Sequence, residues 1–115
     1  AHLSLAGADV AGLIHAWGAR LAYIQMQDLV AEGAKDFDRN RHSYADAIER
    51  RLFTAAGNGS LDFFAICRAL KSAGTNAIGM IAALKDPAIA EPYAYTKLGR
   101  EHVLRCAERC GLETS

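Results

Sequence analysis

No run of apolar residues in this chain approaches the ~20 needed to cross a bilayer, so no membrane span is expected. An excess of either charge is missing too. Lys and Arg total 13 and Asp and Glu total 13, and that balance argues against nucleic-acid or membrane-surface binding driven by charge. Proline is scarce, with 2 residues, so Asp86-Pro87 and Pro92 stand out as breaks. Cysteine is sparse and odd in number, with 3 residues and no tight spacing, which excludes a disulfide framework and suits a reducing, cytoplasmic setting. The N-terminus lacks a basic segment followed by an apolar one, so no secretory leader is expected. It begins with Ala rather than Met, which reads as a processed or truncated start. What remains is 115 residues, 51% apolar and 23% charged, enough for one globular domain at most.

The organising stretch is Ala19-Arg-Leu-Ala-Tyr-Ile-Gln-Met-Gln-Asp28. Tyr23 and Ile24 are strong strand formers, and Gly18 stops what precedes them. Period-2 alternation puts Leu21, Tyr23, Gln25 and Gln27 on one face, and Ala22, Ile24, Met26 and Asp28 on the other. A mostly apolar strand thus delivers Gln25, Gln27 and Asp28 at its C-terminal end, where α/β proteins bind ligands.

The flanking segments read as helices and strands in alternation. Ala1–Leu5 is the expected tail of a strand, with His2 at its end. Asp9 is the expected N-cap of a helix with Val10, Leu13, Ile14 and Trp17 on one face and Gly18 at its C′ position. Residues 29–52 are polar with mixed charge and read as a long loop or lid, with a short helix capped by Ser43 running to Leu52. Ala56-Gly-Asn-Gly59 is a turn. Asp62 caps a helix with Phe63, Ile66, Cys67 and Leu70 inward and Gly74 at its end. Ala77–Leu84 reads as a second strand, buried on both faces. A last helix from about Tyr93 to Cys110 carries a stripe from Tyr95 to Cys110, with Gly111 after it. This order predicts an α/β fold with parallel strands and right-handed crossovers.

Four segments fit one pattern in order: Ala1-His-Leu-Ser-Leu-Ala-Gly-Ala-Asp9, Arg20-Leu-Ala-Tyr-Ile-Gln-Met-Gln-Asp28, Gly57-Asn-Gly-Ser-Leu-Asp-Phe63 and Ile66-Cys-Arg-Ala-Leu-Lys-Ser-Ala-Gly74. Together they resemble the C-terminal part of the xylose-isomerase-like TIM barrels. That superfamily holds sugar (phosphate) isomerases and epimerases, inosose (2-keto-myo-inositol) dehydratases and the endonuclease IV group. The resemblance implies parallel β/α units of a (β/α)8 barrel spanning residues 1–115. It also implies a sugar or cyclitol substrate and a divalent metal (Mn, Co or Mg).

Residue by residue, the resemblance makes His2 the substrate-contacting histidine of a strand end. The organising strand usually reads Val-His-x-Lys-Asp in the family. Here Gln25 stands where the metal-binding His would be, Gln27 where the Lys would be, and Asp28 is kept. The metal-binding Glu of the last strand aligns with Ala82. His2, Gln25 and Asp28 are therefore the candidate substrate-binding residues. No metal ligand set is expected in this chain alone, because a hard divalent cation needs anionic oxygen or imidazole donors.

Length adds a second constraint. A closed barrel takes eight units and about 250 residues, whereas this chain holds roughly two and a half units. A homo-oligomer, or a missing N-terminal half, is expected to cover the open apolar surfaces. Three rival sites weigh less. His102, Cys106 and Cys110 share a helical stripe, but the third lies two turns from the first and the stripe reads as packing. Gly57-Asn-Gly59 reads as a turn before a phosphate cradle, and Arg39, Arg41 and His42 as a solvated loop before a lid. The function classes are then a sugar or cyclitol isomerase or dehydratase incomplete in this chain, a non-catalytic scaffold or oligomerising binding module that has lost its metal, or a DNA-repair relative. The balanced charge speaks against the last.

Overall fold

The structure, a computed structural model, describes residues 1–82, 88 and 90–114. In chain order the elements are helices α1 (His2–Leu5) and α2 (Val10–Trp17), strands β1 (Tyr23–Met26) and β2 (Asp28–Leu29), helices α3 (Ala31–Lys35) and α4 (Tyr44–Glu49), strand β3 (Phe53–Thr54), helix α5 (Phe63–Ala73), strand β4 (Ile78–Ile81) and helix α6 (Pro92–Arg109). β1 and β4 pair in parallel, with Tyr23 opposite Ile78 and Gln25 opposite Met80. β2 and β3 form a separate antiparallel pair. The parallel β/α pattern predicted from the sequence is present in the β1–β4 pair.

The helix boundaries follow side-chain capping. Asp9 accepts from the Gly12 N–H at 3.1 Å, and Asp62 accepts from the Ala65 N–H at 2.9 Å. α5 ends at Gly74 with φ +62°, a left-handed conformation that costs glycine little. Pro92 opens α6, where its missing N–H would have had no helical partner. α6 closes at Gly111 with two paired bonds, Gly111 N–H to Glu108 O at 3.0 Å and Leu112 N–H to Ala107 O at 2.9 Å.

The main core lies between the β1–β4 pair and the layer of α2, α5 and α6. Ile14, Met26, Phe63, Cys67, Leu70, Cys106 and Ala107 are buried in it. Each large apolar side chain fully buried here contributes roughly 1.5–3 kcal/mol before entropy is counted. A second cluster joins Leu29, Ala47, Leu52 and Phe53. It is built largely from the stretch read as a loop or lid, which holds α3, α4 and its own buried side chains instead. Ser43 and Asp46 form a reciprocal capping box that starts α4.

Three expectations are corrected. Ala1–Leu5 is not a strand tail: His2–Leu5 is one helical turn, closed by Leu5 N–H to Ala1 O and Ala6 N–H to His2 O. Five residues without a paired strand beside them satisfy their backbone locally. Gly18 is not a left-handed terminator, since its φ is −48°. Glycine is needed there for space: an added Cβ would lie 2.7 Å from the Ala73 Cβ. β4 is not buried on both faces. Ile78 is 57% exposed and Met80 48% exposed, because helices cover one face of the strand pair only. Leu84 and the Asp86-Pro87 break lie outside the described residues. No helix among the described residues is long and apolar enough to cross a membrane.

Candidate functional site

β1 ends at Met26, and the chain then leaves the parallel pair to enter β2. Strict alternation would put Gln27 and Asp28 on opposite faces. The change of partner buries both, at 1% and 0% exposure.

Asp28 is committed to the backbone. Its Oδ1 accepts from the N–H of Leu29 at 2.8 Å and of Leu61 at 2.9 Å. Its Oδ2 accepts from the N–H of Gly57 at 2.9 Å and of Gly59 at 3.0 Å. A carboxylate surrounded by backbone donors is strongly held. It has no accessible oxygen left for a ligand, so the geometry makes Asp28 a clasp for the 57–61 turn rather than a substrate contact. The same bonds answer the phosphate-cradle reading. Gly57 and Gly59 already give their N–H groups to Asp28, and Gly57 takes φ +89° to do so.

His2 sits on α1 with its ring against Phe53 (centroids 4.6 Å apart) and Tyr44 (5.5 Å). Burial lowers its pKa below the usual imidazole value, and the neighbouring N-terminal amine pushes the same way. Its Nε2 is buried without a partner among the described residues. The Ala1 amine is itself lowered by burial, partly offset by the charge of Asp28, and donates to the Gln27 carbonyl at 3.2 Å.

Gln25 lies exposed on the uncovered face of the strand pair, beside Met80. Gln27 has neither its amide nitrogen nor its amide oxygen partnered among the described residues. A cavity of about 430 Å³ opens between α1, α2 and β1. His2, Gln25 and Gln27 line it at the C-terminal end of β1, and Leu13, Trp17 and Leu21 line it toward the start of the strand. The structure thus brings His2 and Gln25 to one cavity and leaves Asp28 out of it. Gln27 is the group the sequence reading did not select. Its place at the end of a strand of known face was the available signal, but its burial depends on the switch into β2.

Ala82 carries no donor side chain, and its N–H goes to Met26 O at 3.1 Å. Among the described residues no group of three or more His, Cys, Asp or Glu side chains is placed to hold a metal ion. With Asp28 consumed and Gln25 neutral, the described residues do not fit a divalent cation.

The other rivals resolve into structure. The Sγ of Cys106 is 3.7 Å from His102 Nε2, while Cys110 donates to Phe64 O at 3.6 Å. Burial pushes the Cys67 thiol up to about 11 and raises that of Cys106, so these sulfurs pack as neutral thiols. His102 meets Phe63 edge-on at 5.8 Å. Arg39 donates to the Ala6 carbonyl, and the Asp38 N–H donates to His42 Nδ1 at 3.0 Å. Neither Arg39, Arg41 nor His42 reaches the cavity lining.

Known proteins match this chain along most of its length. It is 30% identical over 104 residues to the inosose dehydratase of Geobacillus kaustophilus, a match covering 90% of this chain and 34% of that protein. It is 30% identical over 111 residues to the inosose dehydratase of Geobacillus thermodenitrificans, covering 96% of this chain and 36% of that protein. It is 27% identical over 114 residues to the rhizopine catabolism protein MocC of Rhizobium meliloti, covering 99% and 35%. The chain therefore spans about a third of the length of the curated relatives it matches. No family model and no solved structure matches it. The parallel β1–β4 pair with helices on one face is the kind of layer from which a closed barrel is assembled, and with these relatives it supports the chain as a fragment of the xylose-isomerase-like TIM-barrel family.

Proposed function

We propose that this chain serves a cyclitol- or sugar-converting barrel of the dehydratase or isomerase type. In that reading it supplies scaffold and a polar substrate-facing edge, not the complete catalytic set. The observation that carries it is 30% identity to two inosose dehydratases along at least 90% of the chain. The three free cysteines suit a reducing cytoplasm.

His2 and Gln25 are the proposed substrate contacts. A primary amide both donates and accepts, and a neutral imidazole does the same through its two nitrogens. That pairing suits the hydroxyls of a polyhydroxylated ring, and the lowered pKa of His2 keeps its ring neutral near pH 7. Proton transfer beside a carbonyl also needs a base within hydrogen-bond reach of the substrate. Asp28 is closed off from that role by its four backbone donors. The reading leaves the base, and the divalent metal implied by the family, to groups other than the described side chains.

A second reading, a scaffold or binding module that has lost its metal, is favoured by a specific observation. Gln25 and Ala82 occupy the positions the family resemblance gives to ligands, and among the described residues no alternative cluster replaces them. Titrating the 15N-labelled chain with 2-keto-myo-inositol separates the two. The substrate reading expects saturable shifts at the side-chain amides of Gln25 and Gln27 and at the His2 ring, lost in Gln25→Ala. A flat titration leaves the scaffold reading.

A further inference from the structure

α2 and α5 pack against each other, and a second cavity, of about 410 Å³, opens between them. Ala11 from α2 and Ala65 and Ala69 from α5 line it with methyl groups only. Ala65 and Ala69 stand at i and i+4, so they share a face, and side chains this short leave a hollow between two helices. The cavity shares no lining residue with the one at β1. α2 gives Leu13, Ile14 and Trp17 to that cavity, and Ala11 and His15 to this one.

The rest of the lining is basic and polar. Arg68, Lys71 and Ser72 come from α5 and His15 from α2, and no carboxylate lines the cavity. The one ion pair among the described residues joins Lys97 to Glu101, so neither Arg68 nor Lys71 has an acidic partner there. Lys71 is anchored by donating to the Gly111 carbonyl at 2.8 Å, which leaves further N–H groups to donate. Arg68 lies over the Phe64 ring at 5.9 Å, and Arg109 lies over the same ring at 4.7 Å. Arg68 thus shares the cavity with one cation and the ring with another. Helix ends account for part of this charge. His15, Lys71 and Arg109 stand in the last turns of α2, α5 and α6, where each helix carries about half a negative charge. Three such ends offset about one and a half positive charges. Arg68, Lys71 and Arg109 together exceed that, in a chain whose net charge is zero.

We propose that this cavity binds a phosphoryl group, free or carried by a small ester. The guanidinium fork of Arg68 matches two phosphate oxygens, the Lys71 ammonium adds a point charge, and the Ser72 hydroxyl adds a neutral donor. A carboxylate has too few oxygens to engage all three, whereas a phosphate presents enough. The volume falls in the range of small-molecule sites, about 300–1,000 Å³, so the alanine-lined part has room for the carbon skeleton of an ester. The site is independent of the substrate reading, since the two cavities have no residue in common.

The test titrates the 15N-labelled chain with glycerol 3-phosphate, with inorganic phosphate, and with sodium chloride at matched ionic strength, because exposed charges also respond to salt. The expected result is saturable shifts confined to the amides of residues 11–15, 65–72 and 110–111. The phosphates should raise the Tm beyond the chloride control, as a ligand of the folded form must. Binding should weaken at least tenfold in Arg68→Gln and in Ser72→Glu, which sets a carboxylate among the same bases. Both positions are exposed, so neither change removes a core contact. Gln25→Ala should bind as the parent chain does. Tighter binding of the ester assigns the alanine-lined part to its carbon skeleton, and equal binding assigns the site to free phosphate; either supports the proposal. Shifts that stay linear, that chloride reproduces, or that survive Arg68→Gln overturn it. So do shifts at the side-chain amides of Gln25 and Gln27 lost in Gln25→Ala, which would put the anion in the cavity at β1.

Discussion

Gly57 donates its backbone N–H to Oδ2 of Asp28 at 2.9 Å, across 29 positions of sequence. That bond, with those from Gly59 and Leu61, ties the turn before α5 to the end of the organising strand. The carboxylate is fully buried, so removing it strands backbone donors away from water. Asp28→Ala is expected to cost about 4 kcal/mol, because each orphaned buried donor costs roughly 1–3 kcal/mol and the turn relaxes in part. Asp28→Asn keeps one acceptor oxygen and is expected to cost about half as much. Urea midpoints of the three proteins check the order.

The same residue shows what the sequence did and did not make legible. Alternation and apolar content identified the strand, and Asp9, Asp62, Gly74 and Gly111 marked helix ends that the structure keeps. These are local signals, carried by hydrogen bonds spanning a few residues. Asp28 was misplaced because its role depends on Gly57, Gly59 and Leu61, and no local pattern announces a bond across 29 residues. The switch from β1 to β2 was hidden for the same reason: it requires Phe53 and Thr54 as partners, and two-residue strands carry no period. His2 was read at the end of a strand from the short apolar run Ala1–Leu5, whereas its backbone closes a helical turn.

Gly18 and Ala73 are in such close approach that a Cβ at Gly18 would lie 2.7 Å from the Ala73 Cβ. Gly18 has a right-handed helical backbone, so alanine there would gain roughly 0.5–1 kcal/mol from a stiffer unfolded chain. The overlap is expected to win, since overpacking typically costs about 1–3 kcal/mol. Gly18→Ala should therefore lower stability, and Ala73→Gly in the same chain should recover part of the loss. A double-mutant cycle by chemical denaturation measures that coupling. Additive losses would mean that the approach is relieved elsewhere.

The three thiols should differ in reactivity. Cys67 is 1% exposed and its thiol is pushed up to about 11, first by burial and then by the nearby Cys106 and Cys110. Cys106 is buried and raised in the same direction. Reaction proceeds through the thiolate, so both should resist iodoacetamide at pH 8 in the folded chain and react on unfolding. Cys110 is half-buried and should label first. Peptide mass spectrometry of native and urea-treated samples gives the order. Early labelling of Cys67 would mean that the core between α5 and α6 opens more readily than its packing implies.

His2 should make the fold less stable in acid. Its ring is held below the usual imidazole pKa, mainly because burial disfavours the charged form. Above about pH 6.5 the ring is neutral in both folded and unfolded chains and adds no pH dependence. As the pH falls through that value the unfolded chain takes up a proton first, so unfolding is favoured. The loss levels off once the pH passes the lower folded pKa, where both states are charged. His2→Gln removes the titrating group while leaving a polar side chain on α1. The drop in Tm between pH 7.5 and pH 5 should therefore be smaller in His2→Gln than in the parent chain. The same drop in both proteins would mean that His2 accepts its proton without leaving the contacts to Phe53 and Tyr44. In that case its unpartnered Nε2 is wet in solution, and the polar end of the cavity is open to water.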